Sequence, residues 1–139
     1  MEKSLGAVQR AGHAAIVDVI DYGAAVRAPG LTMLDAPGND AISSTALAAA
    51  GASVILFTTG RGTPLGFPVP TLKIASNSTL AMRKPDWIDF DAGRVLTEGS
   101  DAAEAALCNI LLATASGQET AAERNDEREI AIWKRGVTL

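Results

Sequence analysis

Cysteine and histidine are almost missing from this sequence. Its 139 residues include one cysteine, Cys108, and one histidine, His13. A single cysteine cannot form a disulfide within the chain, which fits a reducing cytoplasmic compartment. Since a zinc site built from cysteine and histidine needs about four such ligands, this chain cannot form one alone. We expect His13 to be solvated or to begin a helix, and Cys108 to be a small buried hydrophobe.

Long apolar runs and an excess of basic residues are missing as well. No apolar run approaches the roughly 18–20 residues of a membrane span, and the N-terminus lacks the layout of a signal peptide. The formal net charge is −4 and the pI is about 4.9. An acidic chain without a basic stripe binds nucleic acid or an anionic membrane poorly, so we expect neither as a partner.

What remains is the composition of one folded domain. Hydrophobic residues make up 47% of the chain and charged residues 20%, with few aromatic residues. This length and balance suit a single domain over residues 1–139 with its own core. Small side chains let elements approach closely, so we predict an α/β fold, a three-layer Rossmann-like domain with a small, mostly parallel sheet.

Three segments are predicted as the strands of this sheet, at 31–35, 53–58 and 71–75. Between the first two, residues 40–51 have a helical apolar face behind a capping Asn39 or Asp40. Strand, helix and strand together make a βαβ unit. The direction of the third strand stays open, because a parallel crossover without a helix usually needs about a dozen residues or more.

Three further segments of the chain are predicted from weaker patterns. Residues 14–22 suit either a helix face or a strand, and we favour a short helix. Residues 76–78 cap a short helix that continues through Arg83, and residues 86–93 are predicted as a loop.

The C-terminal third begins with the best helix of the chain. Ser100 and Asp101 are its predicted caps, Glu104 completes a capping box, and Gly117 ends it. Its predicted apolar face consists of Ala103, Leu107, Ile110 and Leu111. The charged stretch 119–129 predicts a solvated helix face or a terminal extension. The apolar segment 130–133 suits a strand or a docking helix turn.

A polar loop follows each of the three predicted strands, at 35–40, 58–63 and 76–78. Parallel strands bring their carboxyl ends to one edge of a sheet, where open α/β folds bind ligands. This placement is the strongest physical indication of a site in the sequence. The candidate substrate-binding residues are Asn39, Asp40, Thr59, Gly60, Arg61, Gly62, Thr63 and Asn77.

The loop around Arg61 does not match a dinucleotide-binding fingerprint. Its glycines are spaced GxGxxxG and prolines follow, so no helix N-terminus faces a pyrophosphate. Its backbone N–H groups and Arg61 suit the carboxylate or phosphate of a small ligand, and a solvated surface loop is the alternative. Lys73, on the third strand, is either an exposed lysine or a weaker candidate for an acid/base catalyst.

Eight short strings carry a resemblance that extends over essentially the whole chain. They are residues 2–6 (EKSLG), 29–31 (PGL), 36–40 (APGND), 57–64 (FTTGRGTP), 69–75 (VPTLKIA) with Asn77, 87–93 (WIDFDAG), 123–126 (ERND) and 136–139 (GVTL). In order and spacing they resemble the C-terminal part of the altronate/galactarate dehydratase family. The last string is similar to the altronate branch of that family.

The resemblance implies a sugar-acid hydro-lyase that dehydrates D-altronate to 2-dehydro-3-deoxy-D-gluconate in hexuronate breakdown. It also implies Fe²⁺ as the cofactor. A cation that polarises the substrate carboxylate stabilises the charge that develops as the weakly acidic α-proton leaves, and a general acid must protonate the departing C3 hydroxyl. The general base and the metal ligands stay unassigned.

Two kinds of alternative to an altronate-specific enzyme remain, a different substrate within the family and a function of another class. Galactarate dehydratase and sulfolactate sulfo-lyase share the same family frame. A di-acid would call for a second cationic clamp, and because Arg61 is the only cation found near the loops, a mono-acid is favoured. A non-catalytic α/β binding or assembly module, with an interface at residues 130–133, is the alternative from another class.

Two departures from the family bear on activity. Family members are longer, with N-terminal and middle domains that this sequence lacks, and some relatives have cysteine where this chain has Ala7. We therefore expect a fragment or a separately encoded subunit that supplies one wall of the active site, with iron ligands outside the chain, and is inactive alone. The expected partners are the sugar acid and the remaining domains, with a homo-oligomer as a further option.

Overall fold

Two separate parallel sheets organise residues 12–134, which are the residues that the computed structural model describes. The first sheet pairs β1 (Ile16–Ile20) with β2 (Leu31–Leu34). The second has the order β3–β4–β5, formed by Ile55–Thr59, Thr71–Ala75 and Phe90–Asp91. The prediction of a small parallel α/β fold is confirmed. The family strings 2–6 and 136–139, together with Ala7, lie outside the described residues.

Helices connect some of these strands and follow the last one. Within residues 12–134 they are α1 (Asp40–Ala49), α2 (Ser78–Arg83), α3 (Val95–Glu98), α4 (Ser100–Ala115) and α5 (Ala121–Arg124), with a 3-10 turn at Ala92–Arg94. Of the two predicted cap candidates for α1, Asn39 is the N-cap, and within the predicted cap 76–78 of α2 it is Asn77, because each of these side chains accepts a backbone N–H of the first turn. None of these helices has both the length and the apolar character needed to cross a bilayer.

The first strand corrects the prediction of a short helix over residues 14–22. Ile16–Ile20 is rich in β-branched side chains, which lose χ1 freedom in a helix and pack well on a pleated surface. Its partner is β2, with Ile20 opposite Leu34. Since β2 pairs with β1 and belongs to a different sheet from β3, the predicted βαβ unit within one sheet is wrong.

Strand β4 lies at the centre of the second sheet, and all five of its residues are buried. It runs parallel to β3, with Thr71 opposite Ile55 and Ala75 opposite Thr59. The direction of this third predicted strand, which the sequence left undecided, is therefore parallel. Residues 86–93 are more than the predicted loop. Phe90–Asp91 adds a short parallel strand beside the end of β4.

Helix α4 confirms its predicted apolar face but not its predicted cap. Ala103 is buried, and Leu107, Ile110 and Leu111 are half-buried. The residue before the helix is Gly99, which has no side chain to form a cap, so the predicted capping box of Asp101 and Glu104 is wrong. Cys108 of the same helix, expected to be buried, is exposed.

The C-terminal segment packs against the rest of the fold, contrary to the expected solvated face or extension. Ala121 and Ala122 of α5 are buried, and Thr120 and Glu123 form a reciprocal capping box. Residues 130–133 form neither the predicted strand nor a helix turn. They are nevertheless docked, since the backbone N–H of Trp133 donates to the Tyr22 hydroxyl at 3.0 Å.

Candidate functional site

A cleft opens at the carboxyl edge of β3 and β4. Its volume is about 520 Å³, and the residues that line it are Gly60, Arg61, Asn77, Thr79, Leu80, Arg83 and Lys84. The loops that follow the two strands start side by side, because Thr59 pairs with Ala75. Two of the three predicted loops therefore meet where parallel α/β sheets bind their ligands.

The third predicted loop does not reach this cleft. Asn39 and Asp40 follow β2, which belongs to the other sheet. Asn39 Oδ1 accepts the N–H of Ile42 at 3.2 Å, and Asp40 is the exposed first residue of α1. Their observed roles are structural, as the N-cap and first turn of a helix.

The arginine loop, residues 59–63, is shaped by local hydrogen bonds. Thr59 Oγ1 accepts the N–H of Gly62 at 2.9 Å, and Thr63 Oγ1 accepts the N–H of Leu65 at 3.2 Å. Gly62 has a φ of 78°, and a Cβ atom there would lie 2.9 Å from Lys84 Cδ. Glycine is therefore favoured here by its backbone conformation, and the Lys84 side chain packs close beside it. Arg61 is exposed at the tip of this turn.

Three cations line the cleft: Arg61, Arg83 and Lys84. Lys84 Nζ donates to the carbonyl of Arg61 at 3.1 Å and lies 4.4 Å from the centroid of the Trp87 ring. Within residues 12–134, neither the Arg61 nor the Arg83 guanidinium forms an ion pair with a carboxylate. Both are suited to bidentate binding of an anionic group.

The sequence reasoning missed Arg83 and Lys84. The signal for Arg83 is its spacing, since it lies four residues after Thr79 and therefore on the same face of α2. A second guanidinium at the cleft removes the argument that Arg61 alone favours a mono-acid. Asn77, which was predicted, contributes an exposed side chain whose Oδ1 accepts the N–H of Leu80 at 2.9 Å.

Lys73 is fully enclosed, so the expectation of an exposed lysine is wrong. The residue has 0% exposure, and its Nζ donates to the carbonyl of Pro64 at 2.7 Å and to Glu127 Oε2 at 2.9 Å. It is not among the residues that line the cleft. Its suggested role as an acid/base catalyst stays a prediction.

The implied iron would need a group of histidine, cysteine or carboxylate ligands. Among residues 12–134, no group of three or more histidine, cysteine, aspartate or glutamate side chains is placed to bind a metal ion. The described residues therefore do not form an iron site by themselves. His13, the single histidine, is exposed.

The sequence of this chain matches a known protein family over nearly its whole length. The family model described as "D-galactarate/Altronate dehydratase, C-terminal" matches residues 1–138. The chain belongs to the D-galactarate/altronate dehydratase family. The family resemblance drawn from the eight strings is thereby confirmed.

Individual members of the dehydratase family agree with this assignment. The chain is 50% identical over 139 residues to altronate dehydratase of Escherichia coli (strain K12) and 51% identical over 141 residues to that of Bacillus subtilis (strain 168). Each match covers 99% of this chain and 28% of the relative. Galactarate dehydratase (L-threo-forming) of E. coli K12 is 37% identical over 122 residues, covering 86% of this chain and 23% of that relative. The chain thus spans about 28% of the length of the altronate dehydratases it matches.

Proposed function

We propose that this chain works as the C-terminal part of a longer hydro-lyase that dehydrates D-altronate to 2-dehydro-3-deoxy-D-gluconate in hexuronate breakdown. Its cleft at the carboxyl edge of β3 and β4 supplies one wall of the active site and binds the sugar acid. The observation that carries the proposal is the pair of guanidinium groups at this edge, without carboxylate partners among the described residues, in a chain 50% identical to an altronate dehydratase.

The proposal gives roles to residues of the cleft and of the adjoining arginine loop. Arg61 clamps the substrate carboxylate, while Thr59, Thr63 and Asn77 bind its hydroxyl groups. Gly60 and Gly62 let the substrate approach the loop backbone closely. A guanidinium binds the carboxylate through two parallel charge-assisted hydrogen bonds, in the bound substrate and in the transition state alike, so Arg61 contributes uniform binding.

The rest of the chemistry is assigned to parts of the enzyme outside this chain. We propose that the remaining domains hold the implied Fe²⁺, that the assembled enzyme works in the cytoplasm, and that the 139-residue chain alone does not turn over D-altronate. Incubation of the chain with D-altronate and ferrous iron tests the last point. Product formation by the chain alone would contradict the one-wall proposal.

Steady-state kinetics of the full-length enzyme on D-altronate test the assignment of Arg61. We expect Arg61→Ala to lower kcat/KM about 10- to 100-fold, since a charge-assisted hydrogen bond contributes about 1.5–3 kcal/mol. Arg27→Ala is the matched control, because Arg27 is exposed in the β1–β2 connection and does not line the cleft. Equal kcat/KM values for the wild type, Arg61→Ala and Arg27→Ala would overturn the assignment.

Galactarate is the second candidate substrate, and Arg83 is the observation that favours it. A di-acid has two carboxylates, and Arg61 with Arg83 offers two guanidinium groups on one cleft. If galactarate is the substrate, its kcat/KM exceeds that of D-altronate and falls more with Arg83→Ala. For the altronate proposal we expect the opposite ranking of the two substrates.

A further inference from the structure

A buried polar contact connects the crossover between β3 and β4 to the C-terminal segment. It centres on Lys73, whose side chain is 0% exposed in the middle of β4. Its Nζ donates to the carbonyl of Pro64 in the crossover and to Glu127 Oε2 in the C-terminal segment, at 2.7 and 2.9 Å. A buried ammonium is costly unless it is paired and hydrogen-bonded. Lys73 therefore holds both segments against the sheet.

A second contact joins the same two segments two residues further along. The N–H of Gly66 donates to Glu129 Oε2 at 2.9 Å, and the N–H of Glu129 donates to the carbonyl of Gly66 at 3.0 Å. A Cβ atom on Gly66 would lie 2.1 Å from the carbonyl oxygen of Glu127. Because only glycine allows this approach, the crossover and the residues 127–129 are matched in shape as well as in charge.

The crossover that is held in this way also carries the cleft. Arg61 lies three residues before Pro64. On the far side, Phe67 is 3% exposed and its ring centroid lies 6.1 Å from that of Phe57. The buried pair at Pro64 thus lies between the exposed arginine loop and a hydrophobic anchor on the sheet.

We propose that Lys73 and Glu127 are positioning residues for the cleft. Their ion pair fixes the crossover at Pro64, and this in turn holds Arg61 in place for the carboxylate of the substrate. Neither residue lines the cleft, so both act through the loop. The inference rests on the proposed function, because it takes Arg61 as the group that binds the carboxylate.

The test uses the full-length enzyme with Lys73→Met and, separately, Glu127→Gln. We expect each variant to raise KM for D-altronate about three- to tenfold and to leave kcat within about twofold, since the loss falls on uniform binding. Hydrogen exchange followed by mass spectrometry gives a second readout that needs no substrate. The backbone amides of Gly62, Leu65 and Gly66 should exchange faster in both variants than in the wild type.

A purely structural role is separated by a matched control. Thr120→Ala removes the cap of α5, which precedes Glu127, and the hydrogen bonds of the Thr120 side chain are made to Glu123 of the same helix. We expect it to lower the melting temperature without changing KM or the exchange of the crossover amides. If Lys73→Met and Glu127→Gln also lower only the melting temperature, the positioning role is overturned.

Two further outcomes are decisive. Should Lys73→Met fail to fold, Glu127→Gln decides the question, because the Glu127 side chain is 16% exposed and tolerates the loss of its charge better. Arg61→Ala is measured in parallel. A raised KM for Arg61→Ala with an unchanged KM for Glu127→Gln overturns the positioning role alone. An unchanged KM for Arg61→Ala overturns the proposed site, and the positioning role with it.

Discussion

Arg61 and Lys73 are two cations on either side of the glycine- and proline-rich crossover 62–70, yet their surroundings are opposite. Arg61 is exposed, and within residues 12–134 it forms no ion pair. Lys73 has 0% exposure, and its ammonium is bound by Glu127 and by the carbonyl of Pro64. Both residues belong to strings that carry the family resemblance, Arg61 to residues 57–64 and Lys73 to residues 69–75.

The difference in exposure separates a cation that is free to bind a ligand from one that stabilises the fold. A cation in water keeps its hydration until a ligand replaces it, so Arg61 is available to an anion at little cost. A cation in the interior must already have its partners, so Lys73 is committed to the groups that neutralise it. A search for ligand-binding residues by charge alone would have given these two residues equal weight.

The largest expected effect is the loss of stability in Lys73→Ala. Removing one partner leaves Glu127 and the Pro64 carbonyl without their donor, so we expect the free energy of unfolding to fall by about 3–5 kcal/mol. Urea unfolding of the 139-residue chain, followed by far-UV circular dichroism, measures the change. Lys134→Ala, at an exposed position, serves as the control. Equal midpoints for the two variants would remove the contrast between buried and exposed cations.

The next effect concerns how tightly the crossover is held. In Gly66→Ala the new Cβ atom would meet the Glu127 carbonyl oxygen at 2.1 Å and Ala122 Cβ at 2.8 Å. Backbone atoms on both sides must shift, and we expect a loss of about 1–3 kcal/mol in the same urea experiment. Gly38→Ala is the matched control, because a Cβ atom there would meet nothing within 4 Å. If Gly66→Ala were as stable as Gly38→Ala, the crossover would not be pressed against the C-terminal segment.

Elements that depend on local sequence were predictable. Strand β4 has the predicted bounds 71–75, and α1 and α2 begin within the predicted cap positions, at 39–40 and 76–78. A short apolar run and a capping side chain act over a few residues, and both can be read without knowledge of the rest of the fold. The proximity of Arg61 and Asn77 depended on a parallel third strand, whose direction the sequence left open, and the parallel pairing of β3 with β4 brings the two residues to one cleft.

Features that depend on distant partners were not predictable. The pairing of β1 with β2 moved Asn39 away from the cleft, because strand choice between sheets is decided by packing and not by the segment itself. The burial of Lys73 depends on Glu127, which lies 54 residues away in the sequence. Cys108 follows Leu107 on α4, and one residue of helical rotation is enough to turn it outward.

A smaller effect concerns the capping of α5. The N–H of Glu123 donates to Thr120 Oγ1 at 3.3 Å, and the N–H of Thr120 donates to Glu123 Oε2 at 2.9 Å. We expect Thr120→Ala to cost about 1 kcal/mol, measured as a lower melting temperature of the chain. Ser100→Ala, at a helix start that has no side-chain cap, should change it by less. A larger change for Ser100→Ala than for Thr120→Ala would contradict the observed capping.

The smallest expected effect on stability is that of Arg61→Ala, and it completes the comparison. The two contacts that hold the loop here survive truncation of the side chain. Lys84 Nζ donates to the backbone carbonyl of Arg61, and Thr59 Oγ1 accepts the N–H of Gly62. We therefore expect the free energy of unfolding to change by less than about 0.5 kcal/mol, as for most exposed substitutions.

The same urea series measures this change beside Lys73→Ala. If the free energy of unfolding fell by more than about 1 kcal/mol in Arg61→Ala, this arginine would also stabilise the fold. Losses of that size come from structural contacts, because the truncation of a solvated side chain costs less. A small loss of stability together with a large loss of kcat/KM in the full-length enzyme is the combination expected of a residue that is kept for its ligand. The converse combination, a large loss of stability with kcat preserved, is expected of Lys73.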